Sequence, residues 1–159
     1  MTIRICCVGR LKERYWRDAA AEYQKRLGRY AKVEIIEVMD ESTIEAPSDR
    51  EREQILAREA DRLLAKISSS EYCIALAIDG RSFSSESFAG YLDQKMTGGA
   101  SRICFVIGGS LGLGRAVLDR AQEKISFSQM TFPHQLMRVI LLEQVYRGFR
   151  IMRGEPYHK

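Results

Sequence analysis

The chain lacks the long apolar runs that mark membrane proteins. Its longest ones, such as residues 72–78, fall far short of the roughly 20 residues that a membrane-spanning helix needs. The run at residues 3–8 is too short for the apolar core of a signal peptide and leads straight into Gly9. We therefore expect a cytoplasmic protein without a membrane partner.

Cysteine and histidine are scarce, with 4 and 2 residues respectively. The cysteines show no C-x-x-C spacing and no neighbouring histidine, and each lies in an apolar strand-like run: Cys6, Cys7, Cys73 and Cys104. Thiols in such runs pack as small hydrophobic groups. We expect neither a metal site nor disulfides.

Net charge is only +4, but the charges are segregated. Residues 10–32 carry eight Lys and Arg against three acids, whereas residues 33–71 carry eleven acids against five bases. The stretch 138–159 is basic again. This distribution suits a surface that meets a polyanion on one side, but solvated helix faces produce similar runs, so both interpretations stay open.

Strand-like and helix-like patterns alternate along the whole chain. Strands are predicted at residues 3–8, 32–38, 72–78, 102–107 and 124–128, and helices at 12–27, 48–67, 84–96, 115–122 and 134–152. The polar segment 40–47 is a predicted loop, and Asp79-Gly80-Arg81 a predicted turn. Continuous apolar strands between helices indicate one α/β domain over residues 1–159, with a mostly parallel sheet covered by helices on both faces.

A glycine-rich loop, residues 108–114, follows the fourth predicted strand. It fails the dinucleotide fingerprint, because the third glycine position after Gly112 and Gly114 holds Val117. It also fails the Walker pattern, because Arg115-Ala116 replaces the required Lys and hydroxyl residue. The loop therefore either lets a ligand other than a nucleotide phosphate approach the backbone closely or simply forms a tight turn.

Two further segments near the C-terminus attract attention. Residues 127–132 must stay extended up to Pro133, because proline disfavours a helical conformation in the residue before it. Their free backbone groups beside apolar side chains suit a flat ring such as adenine. The alternative is that the segment is an edge strand that leads into a helix. The last helix is apolar on more than one face, which indicates burial against the sheet on one side and a partner subunit on the other.

Taken together, several motifs closely resemble the RlmH family, small SPOUT-class RNA methyltransferases. The resemblance runs from Val8-Gly9-Arg10-Leu11-Lys12 to the last residue and rests on Phe105-Val106-Ile107-Gly108-Gly109-Ser110-x-Gly112, Ser126-Phe127-Ser128-x-Met130-Thr131-Phe132-Pro133-His134, Leu142-x-Gln144-x-Tyr146-Arg147 and Tyr157-His158. It implies a homodimer with a C-terminal trefoil knot. It also implies S-adenosylmethionine-dependent methylation at N3 of a pseudouridine in large-subunit (23S) ribosomal RNA, on assembled ribosomes. A ribosome- or RNA-binding module without catalysis and an enzyme acting on transfer RNA are the alternatives.

The resemblance also implies the donor site, which would comprise Leu76, Gly108, Phe127, Ser128, Gln129, Met130, Thr131 and Phe132. The nucleophilic nitrogen must lose a proton, so nearby basic or hydrogen-bonding groups become catalytic candidates: His134, Arg138, Tyr157 and His158. We further expect the terminal Tyr-His pair to reach the partner subunit's donor pocket. Further candidates, for contacts to RNA phosphates, lie on the first helix: Arg14, Arg17, Lys25 and Arg29.

Overall fold

A computed structural model describes residues 1–42 and 44–159. Strands and helices alternate in the order β1 (Thr2–Val8), α1 (Arg14–Leu27), β2 (Lys32–Val38), α2 (Asp49–Leu64), β3 (Tyr72–Ser82), α3 (Ser85–Thr97), β4 (Arg102–Ile107), α4 (Arg115–Arg120), β5 (Glu123–Ser126) and α5 (His134–Met152). The strands form one sheet in the order β2-β1-β4-β3-β5. Every pairing between these strands is parallel, so their carboxyl ends share one edge of the sheet.

Helices cover both faces of the sheet, as predicted. On one face α1, α3 and α5 pack on Ile3, Ile5 and Phe105, whereas α2 and α4 pack on the other face against Cys6 and Val106. The alternation follows from the two-residue period of a strand, which sends successive side chains to opposite layers. All four cysteines are free and buried within these layers, which confirms their packing role.

Most predicted boundaries are confirmed. The bounds of β2, β4 and α5 match the expected ranges, and Ser48 caps α2 through a capping box, in which the Glu51 backbone N–H donates to Ser48 Oγ at 3.2 Å. The helix α2 ends at Leu64 instead of Ile67, because the chain there tightens into turns. The predicted loop 40–47 includes residue 43, which lies outside the described residues.

The turn predicted at Asp79-Gly80-Arg81 is wrong. The strand β3 continues to Ser82, and its pairing with β5 is interrupted between Leu76 and Arg81, both of which face Ile125. The intervening residues 77–80 form a bulge, in which Ile78 is 55% exposed instead of buried. The cause is a close approach: a Cβ on Gly80 would lie 2.6–2.7 Å from the backbone of β5, so glycine serves packing here and not a turn.

No helix within residues 1–42 and 44–159 has the length and apolar character required to cross a membrane.

Candidate active site

A cavity of about 880 Å³ opens at the carboxyl edge of the sheet, where β3, β4 and β5 end. Its walls are the bulge of β3, the glycine loop after β4 and the segment that joins β5 to α5. Ligands of open α/β sheets bind at this edge, because loops diverge there around the strand ends. The two segments singled out in the sequence therefore lie on one cavity, together with Leu76.

The glycine loop is held closed on itself. A Cβ on Gly108 would lie 2.3 Å from the carbonyl oxygen of Gly112, and Gly112 itself has a φ of +86°. Gly109 and Gly112 also form an isolated antiparallel bridge. The missing Cβ atoms permit the tight loop, and the same glycines line the cavity with backbone instead of side chains.

The segment after β5 is ordered by short-range hydrogen bonds. Ser126 Oγ donates to the carbonyl of Ser128 at 3.0 Å, and the Met130 backbone N–H donates to Ser128 Oγ at 2.9 Å. The lining includes Phe127, Ser128, Met130, Thr131 and Phe132. The structure places Gln129, the remaining member of the predicted run, outside the lining with an exposed side chain.

The cavity carries little charge. Within the described part of the chain its lining contains no Lys or Arg, and its ionisable side chains are Asp79 and His134. A hydrogen bond from Lys124, at 2.7 Å, lowers the pKa of Asp79. This composition does not suit a phosphate, in agreement with the two failed loop motifs. It suits a ligand recognised by backbone groups and apolar contact.

His134 begins α5 at the cavity wall. Its Nδ1 is buried and has no hydrogen-bond partner among the described residues. Burial, and secondarily the cation of Arg138, lower the pKa of His134, while Asp40 acts in the opposite direction. The lowered pKa favours the neutral imidazole, the form that is able to accept a proton.

Arg138 lies one turn further along α5 but does not reach the cavity. Its side chain is 1% exposed and donates to Glu37 Oε2 at 2.7 Å and to the Gly9 carbonyl at 3.2 Å. Glu37 Oε2 also accepts from the Leu11 backbone N–H at 3.2 Å. In this arrangement Arg138 holds the chain that leaves β1 and influences His134 through its charge.

The C-terminal Tyr-His pair also lies away from this cavity. Tyr157 packs edge-on against Tyr146, with ring centroids 4.9 Å apart, and donates to Glu143 Oε1 at 3.1 Å. His158 Nε2 lies 2.8 Å from Glu86 Oε1. The tail is thus fastened to α5 and α3 of its own chain.

Sequence reasoning missed part of the lining. The bulge contributes Ala77, Ile78 and Asp79, and α5 contributes Met137. A smaller recess of about 260 Å³ adjoins the cavity behind Phe127 and Phe132. The glycine at position 80 was the available signal for the bulge, but Asp-Gly is also a turn signature.

The fold and this cavity define an α/β protein with a cavity of low charge at the carboxyl edge of its sheet, and similarity to known proteins identifies its class. Residues 1–158 match the family model described as a predicted SPOUT methyltransferase. The chain is 58% identical to "Ribosomal RNA large subunit methyltransferase H" of Listeria monocytogenes serotype 4a (strain HCC23), over 100% of both chains. It is 55% identical to the protein of the same name from Bacillus pumilus (strain SAFR-032), again over 100% of both.

A solved structure supports the same fold. It is that of a probable methylase family protein from Haemophilus influenzae Rd KW20, with a TM-score of 0.56 at 12% identity, covering 99% of this chain and 70% of that one. The chain belongs to the SPOUT methyltransferase family, which confirms the resemblance inferred from the motifs.

Proposed function

We propose that this protein transfers a methyl group from S-adenosylmethionine to N3 of a pseudouridine in large-subunit (23S) ribosomal RNA, acting on assembled ribosomes in the cytoplasm. Family membership supports methyl transfer, and the names of the full-length relatives support the ribosomal substrate. The observation that carries the proposal is the cavity at three strand ends, large enough for a nucleoside-sized ligand and free of Lys and Arg among its described lining residues.

The lining fits the donor part by part. Apolar side chains such as Leu76 and Phe127 suit the adenine faces, and the backbone of Gly108, which lines the cavity, suits its ring nitrogens. The carboxylate of Asp79 lies at the same wall, but it is paired with Lys124, so the lining as a whole stays close to neutral, which accommodates a cationic sulfonium better than a phosphate. When bound, the donor supplies an electrophilic methyl group whose bond to sulfur breaks as the bond to nitrogen forms.

For the chemistry, we assign His134 the acceptance of the N3 proton, directly or through a water molecule. Burial and the cation of Arg138 lower the pKa of His134, which favours the neutral ring, the form that accepts a proton. Arg138 would act as a positioning residue, because it is buried on Glu37. In this reaction N3 would lose its proton to His134 and gain the methyl group, and the donor's sulfur would keep the electron pair of its broken bond to the methyl carbon.

The proposed active form is a homodimer with a C-terminal trefoil knot. The helix α5 carries apolar side chains that stay partly exposed at Leu136, Val139 and Ile140. A two-fold partner would cover them. The Tyr157-His158 pair would then complete the partner's site, which is consistent with its position away from the cavity of its own chain.

The test is transfer of a tritiated methyl group from S-adenosylmethionine to whole ribosomes, isolated large and small subunits, and transfer RNA. We expect labelling of whole ribosomes, with the label in the RNA of the large subunit. Labelling of transfer RNA alone would favour the transfer-RNA enzyme. Binding to ribosomes without transfer to any of these substrates would favour a binding module without catalysis.

A further inference from the structure

At the start of α1, an exposed aromatic side chain lies in a stretch rich in Lys and Arg. Tyr15 is 63% exposed and contacts the half-buried Trp16, with ring centroids 5.0 Å apart. The surrounding stretch 10–18 carries four cationic side chains, at Arg10, Lys12, Arg14 and Arg17, against two acidic ones. One acid, Asp18, pairs with Arg14 at 3.5 Å, but the Arg14 side chain is 87% exposed, so the pair is weak and leaves the guanidinium accessible.

The chain enters this stretch from a point beside the proposed catalytic cavity. The strand β1 ends next to β4, with Cys7 opposite Ile107, and the chain then turns at Gly9, whose φ is +85°. A Cβ on Gly9 would lie 3.4 Å from Cε1 of His134, which lines the cavity. An RNA whose target nucleotide enters the cavity would therefore pass close to Gly9, from which residues 10–13 lead directly into α1.

The connection between Gly9 and α1 is held in place from three sides. Arg138 donates to the Gly9 carbonyl, and Glu37 accepts from the Leu11 N–H at 3.2 Å. Arg17 Nη1 donates to the carbonyls of Leu11 and Lys12 at 3.2 and 2.6 Å. These hydrogen bonds fix the backbone that leads to Tyr15, so less conformational entropy is lost when the ring binds a ligand.

We propose that Tyr15 is a stacking platform for an unpaired base next to the target nucleotide, with Lys12 and Arg14 contacting the adjoining phosphates. Stacking on an exposed aromatic ring within a basic surface is how single-stranded nucleic acid is held without reading its sequence. The inference rests on the proposed function, because it takes the substrate to be RNA.

The kinetic test compares Tyr15→Ala with the parent protein on large ribosomal subunits or whole ribosomes, whichever is labelled. We expect KM to rise roughly 5- to 150-fold, the factor equivalent to the ~1–3 kcal/mol of one base–aromatic stack. The S-adenosylmethionine Kd and the urea midpoint should stay unchanged, and Tyr15→Phe should retain the parent KM within about twofold. Glu22→Gln, on the same helix, is the surface control. An unchanged KM in Tyr15→Ala would overturn the platform.

A second readout needs no methyl transfer. Trp16 is the only tryptophan in the sequence, and a base stacked on Tyr15 should quench its fluorescence. Titration with a short oligouridylate should quench the parent and Tyr15→Phe but not Tyr15→Ala; equal quenching in all three refutes the inference. If the parent methylates no RNA, the proposed function fails while this titration still tests the platform. A change of Tyr15→Ala from dimer to monomer in sedimentation would assign the ring to a subunit interface and also refute it.

Discussion

Replacing Gly108 by alanine should disable the proposed donor cavity. The added Cβ would lie 2.3 Å from the carbonyl oxygen and 2.4 Å from the carbonyl carbon of Gly112, where ordinary contacts begin at 3.4 Å. Both opposing atoms are backbone, so the loop must move by about 1 Å instead of rotating a side chain away. Overpacking of this kind costs ~1–3 kcal/mol, and a displacement of that size in a positioning loop lowers activity by up to about 100-fold.

Two measurements check this prediction. Calorimetric titration with S-adenosylmethionine should show at least a roughly tenfold loss of affinity for Gly108→Ala, the equivalent of ~1.4 kcal/mol. Urea denaturation followed by Trp16 fluorescence should show the loss of stability. The matched control is Gly90→Ala in α3, where an added Cβ meets nothing within 4 Å; it should leave binding unchanged and stabilise the helix by ~0.5–1 kcal/mol. Parental affinity and stability in Gly108→Ala would refute the role of the loop.

Three further predictions follow from the same geometry. Arg138→Met should lower the free energy of unfolding, measured with urea, by ~2–3 kcal/mol. This is less than the usual loss when one partner of a buried ion pair is removed, because the Glu37 side chain is 36% exposed and stays solvated. Removing that cation should also raise the pKa of His134, so that activity is lost at a higher pH on acidification than in the parent; coincident pH–rate profiles would argue against His134 as the base. Gly80→Ala should destabilise the β3–β5 junction by ~1–3 kcal/mol, which a parental urea midpoint would contradict. Deleting residues 155–159 should abolish methyl transfer while donor binding and dimerisation persist; retained activity would rule out the shared site.

The fold was largely predictable because its strands are continuous apolar runs and its helix signals are local. Ser48 with Glu51 is an example, since the capping box requires only residues three apart. The bulge of β3 was not predictable. Its cause is the approach of β5 to Gly80, a contact between distant parts of the chain, and Asp-Gly-Arg carries the same local pattern as a turn.

The candidate site was predictable to a similar degree. The loop at Gly108 and the run before Pro133 were recognisable because Gly and Pro constrain the backbone directly. The burial of Arg138 was not predictable. Its spacing of four from His134 places both residues on one side of α5, but it does not show which of them reaches the cavity. The position of the tail depends on Tyr157 packing on Tyr146, a contact that no local pattern encodes.

Methylation of a pseudouridine at N3 can be measured on ribosomes whose large-subunit RNA lacks the modification. After incubation with the protein and S-adenosylmethionine, the RNA is digested and its nucleosides are analysed by mass spectrometry, with reverse transcription locating the site. We expect one added methyl group on a pseudouridine and a stop in reverse transcription, because a methyl at N3 blocks base pairing. A methyl group on another nucleoside, or none at all with the donor bound, would contradict it.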